Sequence, residues 1–374
     1  MPRVVSRGAA KGRFDMKRVR VAVLFGGRSA EHEVSILSAR NVFGAIDRSR
    51  YDVVAIGISR DGRWRLVSES SDAQATVPAS GAEIMLVPGG RGQAAIIGAA
   101  AASDIEPIDV LFPVLHGPGG EDGSVQGYAE VADVAYVGCP IFASAAAMDK
   151  DMTKRLLAAA GLPVARSRML HKDDAASFDE LTGALGSPLF VKPAGQGSSV
   201  GVSRVGGNGQ TLATALESAF AHDEKVLVEE FIAGREIECA VLERADGSLF
   251  VSEPGEIVTA GHHDFYSYDA KYVDANGAVV KAPADVPRPS AQQAKVMAEQ
   301  GFRALGCAGM ARIDFFLKPD GGLVINEVNT IPGFTNISMY AKAMAASGIA
   351  YTDLITALID HALARHQRGE SAFG

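Results

Sequence analysis

The sequence predicts an α/β protein, and three features of the chain support this class. An apolar, β-rich run at 19–25 ends in Gly26-Gly27, a helical pattern follows at 34–45, and a second strand pattern covers 51–58. This order is a βαβ unit, the usual opening of an α/β sheet. A buried-type strand at 109–115, and strand and helix patterns beyond residue 148, extend the class along the chain. With 374 residues, the chain has room for two or three domains.

The composition is that of an ordinary globular protein. Apolar residues make up 47% of the chain and charged residues 21%. The net charge of −8 gives no reason to expect nucleic acid or a membrane surface as a partner. The three cysteines form no CxxC, so neither a disulfide framework nor a zinc site is indicated, and a reducing, cytoplasmic compartment is favoured. The longest run of small apolar residues, near 94–102, is too short to cross a bilayer.

The first 20 residues differ from the rest, with seven Lys or Arg against one acid, Asp15. They contain no apolar segment, so they are not a secretory signal. We expect residues 1–16 to be a disordered basic tail, with Met16 as a second candidate start. A basic targeting or binding arm is the alternative.

The remaining elements follow in order. Residues 68–107 are rich in Ala, Gly and Ser with weak periodicity, which favours an insertion on the first domain. An amphipathic helix at 149–160 is stopped by Gly161 and Pro163. Strand patterns then cover 189–192, 226–231, 238–242 and 249–253, and an amphipathic helix occupies 351–367.

Two apolar-rich strands at 312–318 and 323–329, joined by a Pro-Asp-Gly-Gly turn, form a strong hairpin signal. If the loop is Asp320-Gly321, then Asp314 faces Glu327 and Arg312 faces Asn329. Two carboxylates across a ladder lie about 5 Å apart and repel, and a Mg²⁺ ion shared with substrate phosphates would resolve the repulsion. A surface hairpin with solvated charges is the alternative, and Pro319 could shift the register by one residue.

A glycine-rich loop at 195–201 follows a strand and offers backbone N–H groups of the kind that cradle phosphates. Lys192 just before it adds a point charge. The loop is neither a P-loop nor GxGxxG, and a plain turn is the alternative.

Two strand ends carry polar side chains where α/β folds bind ligands. Glu31, after the first strand, could hold a substrate ammonium or simply be an acid in the first turn of a helix. His116 could orient Glu31, act near the substrate, or be a satisfied structural histidine. Residues 261–277, with Lys271 and Tyr272, favour a lid or an ordinary loop. The free amide of Gly333, close after Asn329, could face an oxyanion.

Taken together, these segments resemble the ATP-grasp superfamily, and within it the D-alanine–D-alanine ligases, from about residue 19 to 363. The matching motifs occur in the family's order. They are Gly26-Gly27-x-Ser29-x-Glu31-x-Glu33-Val34-Ser35, His116-Gly117-x-x-Gly120-Glu121-Asp122-Gly123, Met148-Asp149-Lys150, Lys192-Pro193, Gly197-Ser198-Ser199-Val200-Gly201, Ala270-Lys271-Tyr272, Arg312-Ile313-Asp314 and Asn326-Glu327-Val328-Asn329-Thr330-x-Pro332-Gly333.

The resemblance implies an ATP-grasp fold of α+β character behind an N-terminal Rossmann-like α/β domain. The implied divisions are 17–138 for the N-terminal substrate domain, 139–236 for the central subdomain and 237–374 for the C-terminal subdomain. It also implies ATP and two Mg²⁺, with Mn²⁺ as a substitute, and a homodimer. The implied reaction joins two D-alanines through D-alanyl phosphate, releasing ADP and phosphate, for peptidoglycan precursor synthesis.

The resemblance assigns roles to matching positions. Lys150, Lys192 and Ser199 would meet the ATP phosphates, Lys271 the γ-phosphate, Glu236 the ribose, and Glu229, Glu230, Phe231 and Ile232 the adenine. Asp314, Glu327 and Asn329 would bind the metals. Glu31, Ser198, Tyr272 and His116 would serve the first D-alanine, Arg312 and Gly333 the oxyanion, and Ser338 and Met339 the second D-alanine.

Other functions remain open. Lys271-Tyr272 favours an amine nucleophile over D-lactate, but D-lactate, D-serine or another carboxylate–amine pair are alternatives within the ligase class. A nucleotide-binding module without catalysis would lack part of the metal set or Arg312, and both are present. A nicotinamide oxidoreductase would need GxGxxG after the first strand, where the chain has Gly26-Gly27.

Overall fold

The computed structural model describes residues 17–67, 77–97, 105–207, 209–259, 278–335 and 337–373. The basic tail, parts of the predicted insertion, and Lys271 and Tyr272 of the predicted lid lie outside the described residues. Among the described helices, none is both long and apolar enough to cross a membrane.

The first sheet is the predicted α/β unit. Its part of the chain contains β1 (Val19–Gly26), α1 (His32–Ala45), β2 (Tyr51–Ile58), β3 (Trp64–Val67), β4 (Ile84–Leu86), β5 (Ala94–Ile96), β6 (Val110–Pro113), α2 (Ser124–Val131) and β7 (Ala135–Tyr136). The strand order is β3-β2-β1-β6-β7, with β1 parallel to β2 and β6, so the βαβ opening is confirmed. β4 and β5 form a separate ladder within the predicted insertion.

The end of β1 requires glycine. A Cβ on Gly26 (φ +91°) would lie 2.3 Å from the carbonyl oxygen of Ile58, and L side chains rarely adopt this backbone conformation. The chain therefore turns sharply from β1 toward α1, which brings Glu31 to the edge of the sheet.

The second sheet is antiparallel, in the order β10-β9-β11-β8. Its part of the chain contains α3 (Ile141–Met148), α4 (Lys150–Ala159), β8 (Ser167–His171), α5 (Phe178–Leu185), β9 (Leu189–Pro193), β10 (Ser203–Val205), α6 (Gly209–Phe220) and β11 (Lys225–Glu230). Leu181 of α5 and Leu212 of α6 share a buried core with Leu189 and Val191 of β9. Because side chains alternate along a strand, Lys192 faces the other side of the sheet.

The third sheet is also antiparallel, in the order β15-β14-β12-β16-β17, with β13 paired to β12. The elements are β12 (Arg235–Glu243), β13 (Leu249–Val251), β14 (Gly255–Thr259), β15 (Ala278–Lys281), α7 (Arg288–Ala304), β16 (Met310–Leu317), β17 (Leu323–Asn329), α8 (Met339–Ala346) and α9 (Tyr351–Phe373). Ile237, Ile313 and Ile325 are buried in one core with Met297 and Phe302 of α7. Because side chains alternate along a strand, Glu238 and Asp314 lie on the opposite face of the sheet.

The hairpin of β16 and β17 has the predicted pairing at its polar end. Asp314 faces Glu327, and Arg312 faces Asn329. The assumed two-residue loop is wrong, because residues 319–321 connect Lys318 to Gly322. This longer loop shifts the register by one residue at Leu317 and Leu323, and a bulge at Asn326 shifts it back. Gly321 takes the left-handed conformation (φ +86°) typical of the last position in a three-residue loop.

Helix α9 packs on the first sheet although it ends the chain. Ile355, Leu358 and Ile359 are fully buried in the same core as Val21 and Val23 of β1. Arg365 donates hydrogen bonds to the carbonyls of Tyr136 and Gly138, at 2.9 and 2.6 Å. The first and last parts of the chain therefore share one hydrophobic core.

Candidate active site

The second and third sheets enclose a cavity of about 370 Å³. Most of the predicted nucleotide and metal residues line it: Lys150, Lys192, Ser198, Ser199, Glu229, Glu230, Phe231, Ile232, Glu236, Arg312, Asp314 and Glu327. Asn329 lines an adjoining recess of about 40 Å³ together with Glu327 and Lys150. Glu31, His116, Gly333, Ser338 and Met339 are not part of either lining.

Three carboxylates form a row across three neighbouring strands on the cavity side. Glu238 of β12 faces Asp314 of β16, which faces Glu327 of β17. Arg312 donates from Nε and Nη2 to the two oxygens of Asp314, both at 2.8 Å, and its Nε also lies 3.0 Å from Glu238 Oε2. Asn329 Nδ2 donates to Asp314 Oδ2 at 2.9 Å. Sequence reasoning missed Glu238, although it is two residues from Glu236 and so shares its face of the strand.

The negative charges of Glu238, Asp314 and Glu327 repel one another. Burial raises the pKa of Asp314 well above its usual range, and the charges of Glu238 and Glu327 add to this rise against the opposing effect of Arg312. Burial would lower the pKa of Arg312, but Asp314 and Glu238 outweigh it and raise that pKa well above its ordinary value. A cation placed beside the row would relieve the repulsion between the carboxylates.

The donor set fits Mg²⁺. Within the described ranges, no group of three or more His, Cys, Asp or Glu side chains could by itself hold a metal ion. Mg²⁺ does not need such a group, because it is usually bound by one or two carboxylates together with substrate phosphates and water. Asp314 and Glu327 supply two carboxylates at directly paired positions, and Asn329 supplies an amide.

A buried glutamate joins two lysines beside the cavity. Glu229 Oε2 lies 2.7 Å from Lys192 Nζ, and its Oε1 lies 3.2 Å from Lys154 Nζ. Burial would raise the pKa of Glu229, but the charges of the two lysines outweigh it and lower the pKa to about 2. Burial lowers the pKa of Lys154. Sequence reasoning missed Lys154, whose signal was its position four residues after Lys150 on the same face of α4.

The glycine loop after β9 has an unusual backbone. Ser198 and Ser199 are consecutive left-handed residues, with φ of 51° and 59°. Such conformations cost energy in residues other than glycine, cluster at functional sites, and can bring successive N–H groups into an anion-binding concavity. Lys150 Nζ donates to the carbonyl of Gln196 in the same loop. The structure thus places the predicted phosphate loop and the predicted lysines around one cavity.

Glu31 contacts this loop from the first sheet. It occupies the N-cap position of α1 but makes no capping hydrogen bond with its side chain. Instead, Ser198 Oγ donates to Glu31 Oε1. A Cβ on either Gly117 or Gly197 would lie 3.3 or 3.2 Å from Glu31 Oε2, so two glycine positions flank this carboxylate closely. Glu31 therefore lies where the first sheet meets the glycine loop.

His116 is buried, and both of its ring nitrogens have partners. Its Nε2 lies 3.1 Å from Ser38 Oγ and its Nδ1 lies 3.1 Å from the carbonyl of Ile331. Burial lowers its pKa, which favours the neutral ring. Glu121 accepts the N–H groups of Gly117 at 2.7 Å and Ile331 at 3.2 Å. Burial raises the pKa of Glu121 to about 8. His116 contacts the carbonyl oxygen of Ile331, and Glu121 accepts its N–H, so both polar backbone groups of Ile331 have partners.

Gly333 and Ser338 lie close together. A Cβ on Gly333 would be 2.7 Å from Ser338 Oγ. Ser338 precedes α8, and its Oγ accepts the N–H of Thr335 at 3.1 Å. Met339 is 3% exposed and packs in the core, where a Cβ on Gly255 would lie 2.0 Å from its sulfur. The structure therefore brings Gly333 and Ser338 together and places Met339 in the hydrophobic core.

Known proteins match the chain over almost all its length. The family model described as D-ala D-ala ligase N-terminus matches residues 20–139, and the D-ala D-ala ligase C-terminus model matches 156–360. D-alanine–D-alanine ligase A of Mesorhizobium japonicum is 62% identical over 94% of this chain and 99% of its own length. The protein of the same name from Escherichia coli is 49% identical over 94% and 97%.

Solved structures of ligases are similar to this chain in fold and in sequence. The D-alanine–D-alanine ligase of Coxiella burnetii has a TM-score of 0.84 and 34% identity over 96% of this chain and 97% of that one. The VanG D-Ala:D-Ser ligase of Enterococcus faecalis has a TM-score of 0.81 and 34% identity over 92% and 99%.

Proposed function

The chain belongs to the D-alanine–D-alanine ligase family, and from this premise we propose how its residues perform the reaction. It has the ATP-grasp fold and joins two D-alanines at the expense of ATP, through D-alanyl phosphate, for peptidoglycan precursor synthesis. The observation that best supports the residue assignment is the shared cavity. The carboxylates and Arg312 of one hairpin line the same space as Lys150, Lys192 and the glycine loop.

ATP occupies this cavity. Lys150, Lys192 and the backbone of Ser198 and Ser199 hold its phosphates, since lysines and successive N–H groups both favour anions. The end of β11, from Glu229 to Ile232, meets adenine, and Glu236 meets the ribose. The carboxylate of Glu229 forms ion pairs with Lys192 and Lys154. Its side chain therefore also holds Lys192 beside the cavity. Lys271 reaches the γ-phosphate.

Asp314, Glu327 and Asn329 hold two Mg²⁺ ions, for which Mn²⁺ can substitute. When bound, these ions neutralise phosphate charge during phosphoryl transfer. Asp314 would meet the metal with the lone pairs that Arg312 and Asn329 leave available, since both of its oxygens already accept a hydrogen bond from Arg312.

Glu31 binds the ammonium of the first D-alanine, and Ser198 and Tyr272 position it. The hydrogen bond from Ser198 to Glu31 supports this, because it couples the residue that binds the substrate ammonium to the loop that holds the phosphates. The first D-alanine thereby lies with its carboxylate toward the γ-phosphate, the geometry that acyl phosphate formation needs. His116 acts indirectly, by fixing Ile331 and the loop that carries Gly333.

The amine of the second D-alanine attacks the carbonyl carbon of the acyl phosphate; the new C–N bond forms, the C–O bond to phosphate breaks, phosphate leaves and the amine loses a proton. Arg312 and the N–H of Gly333 stabilise the developing oxyanion, and Ser338, at the N-terminus of α8, binds the carboxylate of this substrate. The acyl phosphate reacts with water, so the site must exclude water during the reaction, a task that we assign to Lys271 and Tyr272.

The wider organisation follows the family. We place the domain divisions at 17–138, 139–236 and 237–374; the first lies between β7 and α3, and the second falls two residues inside β12, just after the change from the second sheet to the third. The protein acts as a homodimer in the cytoplasm. The free, buried state of Cys139, Cys239 and Cys307 is in keeping with a reducing compartment.

The direct test is to incubate the purified protein with ATP, Mg²⁺ and D-alanine and to follow phosphate release and product mass. L-Alanine alone, D-alanine with D-lactate, and D-alanine with D-serine run in parallel. We expect D-alanyl-D-alanine and no product with L-alanine. The likeness to the VanG structure makes D-serine the second candidate substrate, and a dominant mixed dipeptide would establish it. No phosphate release from any pair would contradict the assignment.

A further inference from the structure

Glu238 is a buried acid at the centre of the site that the roles above leave without a task. It lies in β12, directly opposite Asp314, and its side chain is 6% exposed. The strand order places it on the opposite side of Asp314 from Glu327, so Asp314 is the middle member of the row. A buried carboxylate is costly unless a cation balances it, and among the described residues Arg312 is a cation in contact with Glu238.

The contacts of Arg312 are unequal. Nε carries one hydrogen, which it donates to Asp314 Oδ1 at 2.8 Å. Its 3.0 Å approach to Glu238 Oε2 is therefore an ion-pair contact, with the hydrogen directed elsewhere. Nη2 also donates to Asp314, at 2.8 Å, and Asn329 Nδ2 shares that oxygen. Asp314 thus accepts three hydrogen bonds on about four lone-pair sites, one on Oδ1 and two on Oδ2.

The contacts of Arg312 compete with a metal ion for the lone pairs of Asp314. A ligand carboxylate must direct lone pairs at the cation, and here both oxygens accept hydrogen bonds from Arg312. The side chain of Arg312 is only 17% exposed, so leaving its charge without an anion would be costly. A second acceptor within reach of Nε would let Asp314 turn away while Arg312 stays in place, and Glu238 Oε2 is already at that distance.

We infer that Glu238 is a positioning residue, which accepts the Nε hydrogen of Arg312 when Asp314 engages the metal and so keeps the guanidinium aimed at the reacting carbonyl. The inference rests on the proposed function of Arg312 and Asp314. It assigns Glu238 no direct contact with substrate or metal. The rest of the guanidinium remains available to the oxyanion.

The test compares Glu238→Gln with Glu243→Gln, a matched control on the same strand whose partner, His361, lies 3.1 Å away. For each protein we would measure kcat, the KM values for ATP and D-alanine, and the binding of Mn²⁺ in the presence of ADP by electron paramagnetic resonance. Glu238→Gln should lower kcat about 10- to 100-fold, the usual effect of losing a residue that orients an active group. Mn²⁺ affinity and the KM for ATP should stay within about threefold.

Two outcomes would overturn the inference. Unchanged kcat in Glu238→Gln would show that Arg312 needs no second anion. A tenfold loss of Mn²⁺ affinity, with kcat recovered at high Mn²⁺, would make Glu238 a metal ligand instead. If the glutamine variant does not fold, Glu238→Asp replaces it, because the shorter acid keeps the charge but loses its reach, and the same kcat and Mn²⁺ pattern is expected.

A double variant separates this inference from the proposed function. In an Arg312→Lys background, which should itself be slow, adding Glu238→Gln should have little further effect on kcat because Glu238 acts through Arg312. Near-normal turnover in Arg312→Lys and Arg312→Met would contradict the proposed role of Arg312. Loss of turnover in both, with full activity in Glu238→Gln, would contradict only the role of Glu238.

Discussion

At the scale of single residues, Glu327 is the end member of the carboxylate row and faces Asp314 across the hairpin. Glu327→Gln keeps the size of the side chain but removes its charge. We expect kcat to fall by about 10³, comparable to the loss of one electrostatic contact at a reaction centre, with unchanged thermal unfolding. Phosphate release and circular dichroism melting measure the two quantities.

The matched control is Glu299→Gln, which removes an acid of α7 that pairs with Arg303 on the surface. It should change neither the rate nor the melting temperature. Near-normal turnover in Glu327→Gln would remove the metal assignment for this residue.

Lys154 gives a prediction about acid stability. Glu229 has a pKa of about 2 in the fold against an ordinary 4.5, so its stabilising effect is complete above pH 4.5 and is lost as the pH falls toward 2. Lys154→Met removes one of the two charges that lower this pKa. We expect the acid-dependent loss of stability still to begin near pH 4.5 but to be smaller and to end above pH 2, and the free energy of unfolding at pH 7 to drop by about 3 kcal/mol.

Urea unfolding between pH 3 and 7 measures both effects. Lys172→Met, at an exposed position after β8, is the control and should leave the pH profile unchanged. A profile for Lys154→Met that parallels the wild type would mean that Lys192 alone sets the pKa of Glu229.

At the scale of elements, the segment between β17 and α8 is held from several sides. Ser38, His116 and Glu121 reach it from the first sheet, and Tyr351 donates to the carbonyl of Phe334 at 2.6 Å. A loop is a poor place for a precise donor unless neighbouring elements restrain it. These contacts explain how a loop can present the N–H of Gly333 in a fixed position.

Gly333→Ala tests this restraint. The new Cβ would meet Ser338 Oγ at 2.7 Å, so either the loop or Ser338 must move. We expect kcat/KM for D-alanine to fall by about 10²-fold, since displacements of about 1 Å at a reacting group have such effects, while the KM for ATP changes little.

Gly44→Ala in α1 is the control, because nothing lies within 4 Å of its added Cβ. It should keep full activity and gain up to about 1 kcal/mol of stability from helix propensity. Equal loss of affinity for ATP and D-alanine in Gly333→Ala would indicate a general disturbance rather than a local one.

At the scale of the whole molecule, the continuous core of the first sheet, α8 and α9 predicts cooperative unfolding of these parts. Ile355→Ala in α9 should lower the free energy of unfolding by about 2–5 kcal/mol, the cost of a large cavity. Trp64, the chain's single tryptophan, lies in β3 and reports on the first sheet. Its fluorescence and the circular dichroism signal should shift together to lower urea concentrations.

Val296→Ala on α7, at a position 46% exposed, is the control and should change stability by less than about 0.5 kcal/mol. A tryptophan transition in Ile355→Ala that stays at the wild-type midpoint would show that α9 unfolds independently of the first sheet.

The sequence by itself determined most local elements and the pairing at the polar end of the hairpin of β16 and β17. The apolar run of β1, the glycines after it and the facing positions of Asp314 and Glu327 are all readable from short-range patterns. Alternation with period two and the choice of turn residues depend only on residues close in the sequence, so strands and the hairpin pairing can be predicted from it. The loop of the hairpin was misjudged by one residue, because a bulge at Asn326 compensates a longer turn and leaves no mark in the alternation.

Only the tertiary structure decided which distant groups meet. The contact of Ser198 with Glu31, the pairing of Lys154 with Glu229, the approach of Glu238 to Arg312 and the docking of α9 on the first sheet are such cases. They depend on which strands become neighbours and on which faces are covered. That choice is made by burial of the whole core, so no local pattern encodes it.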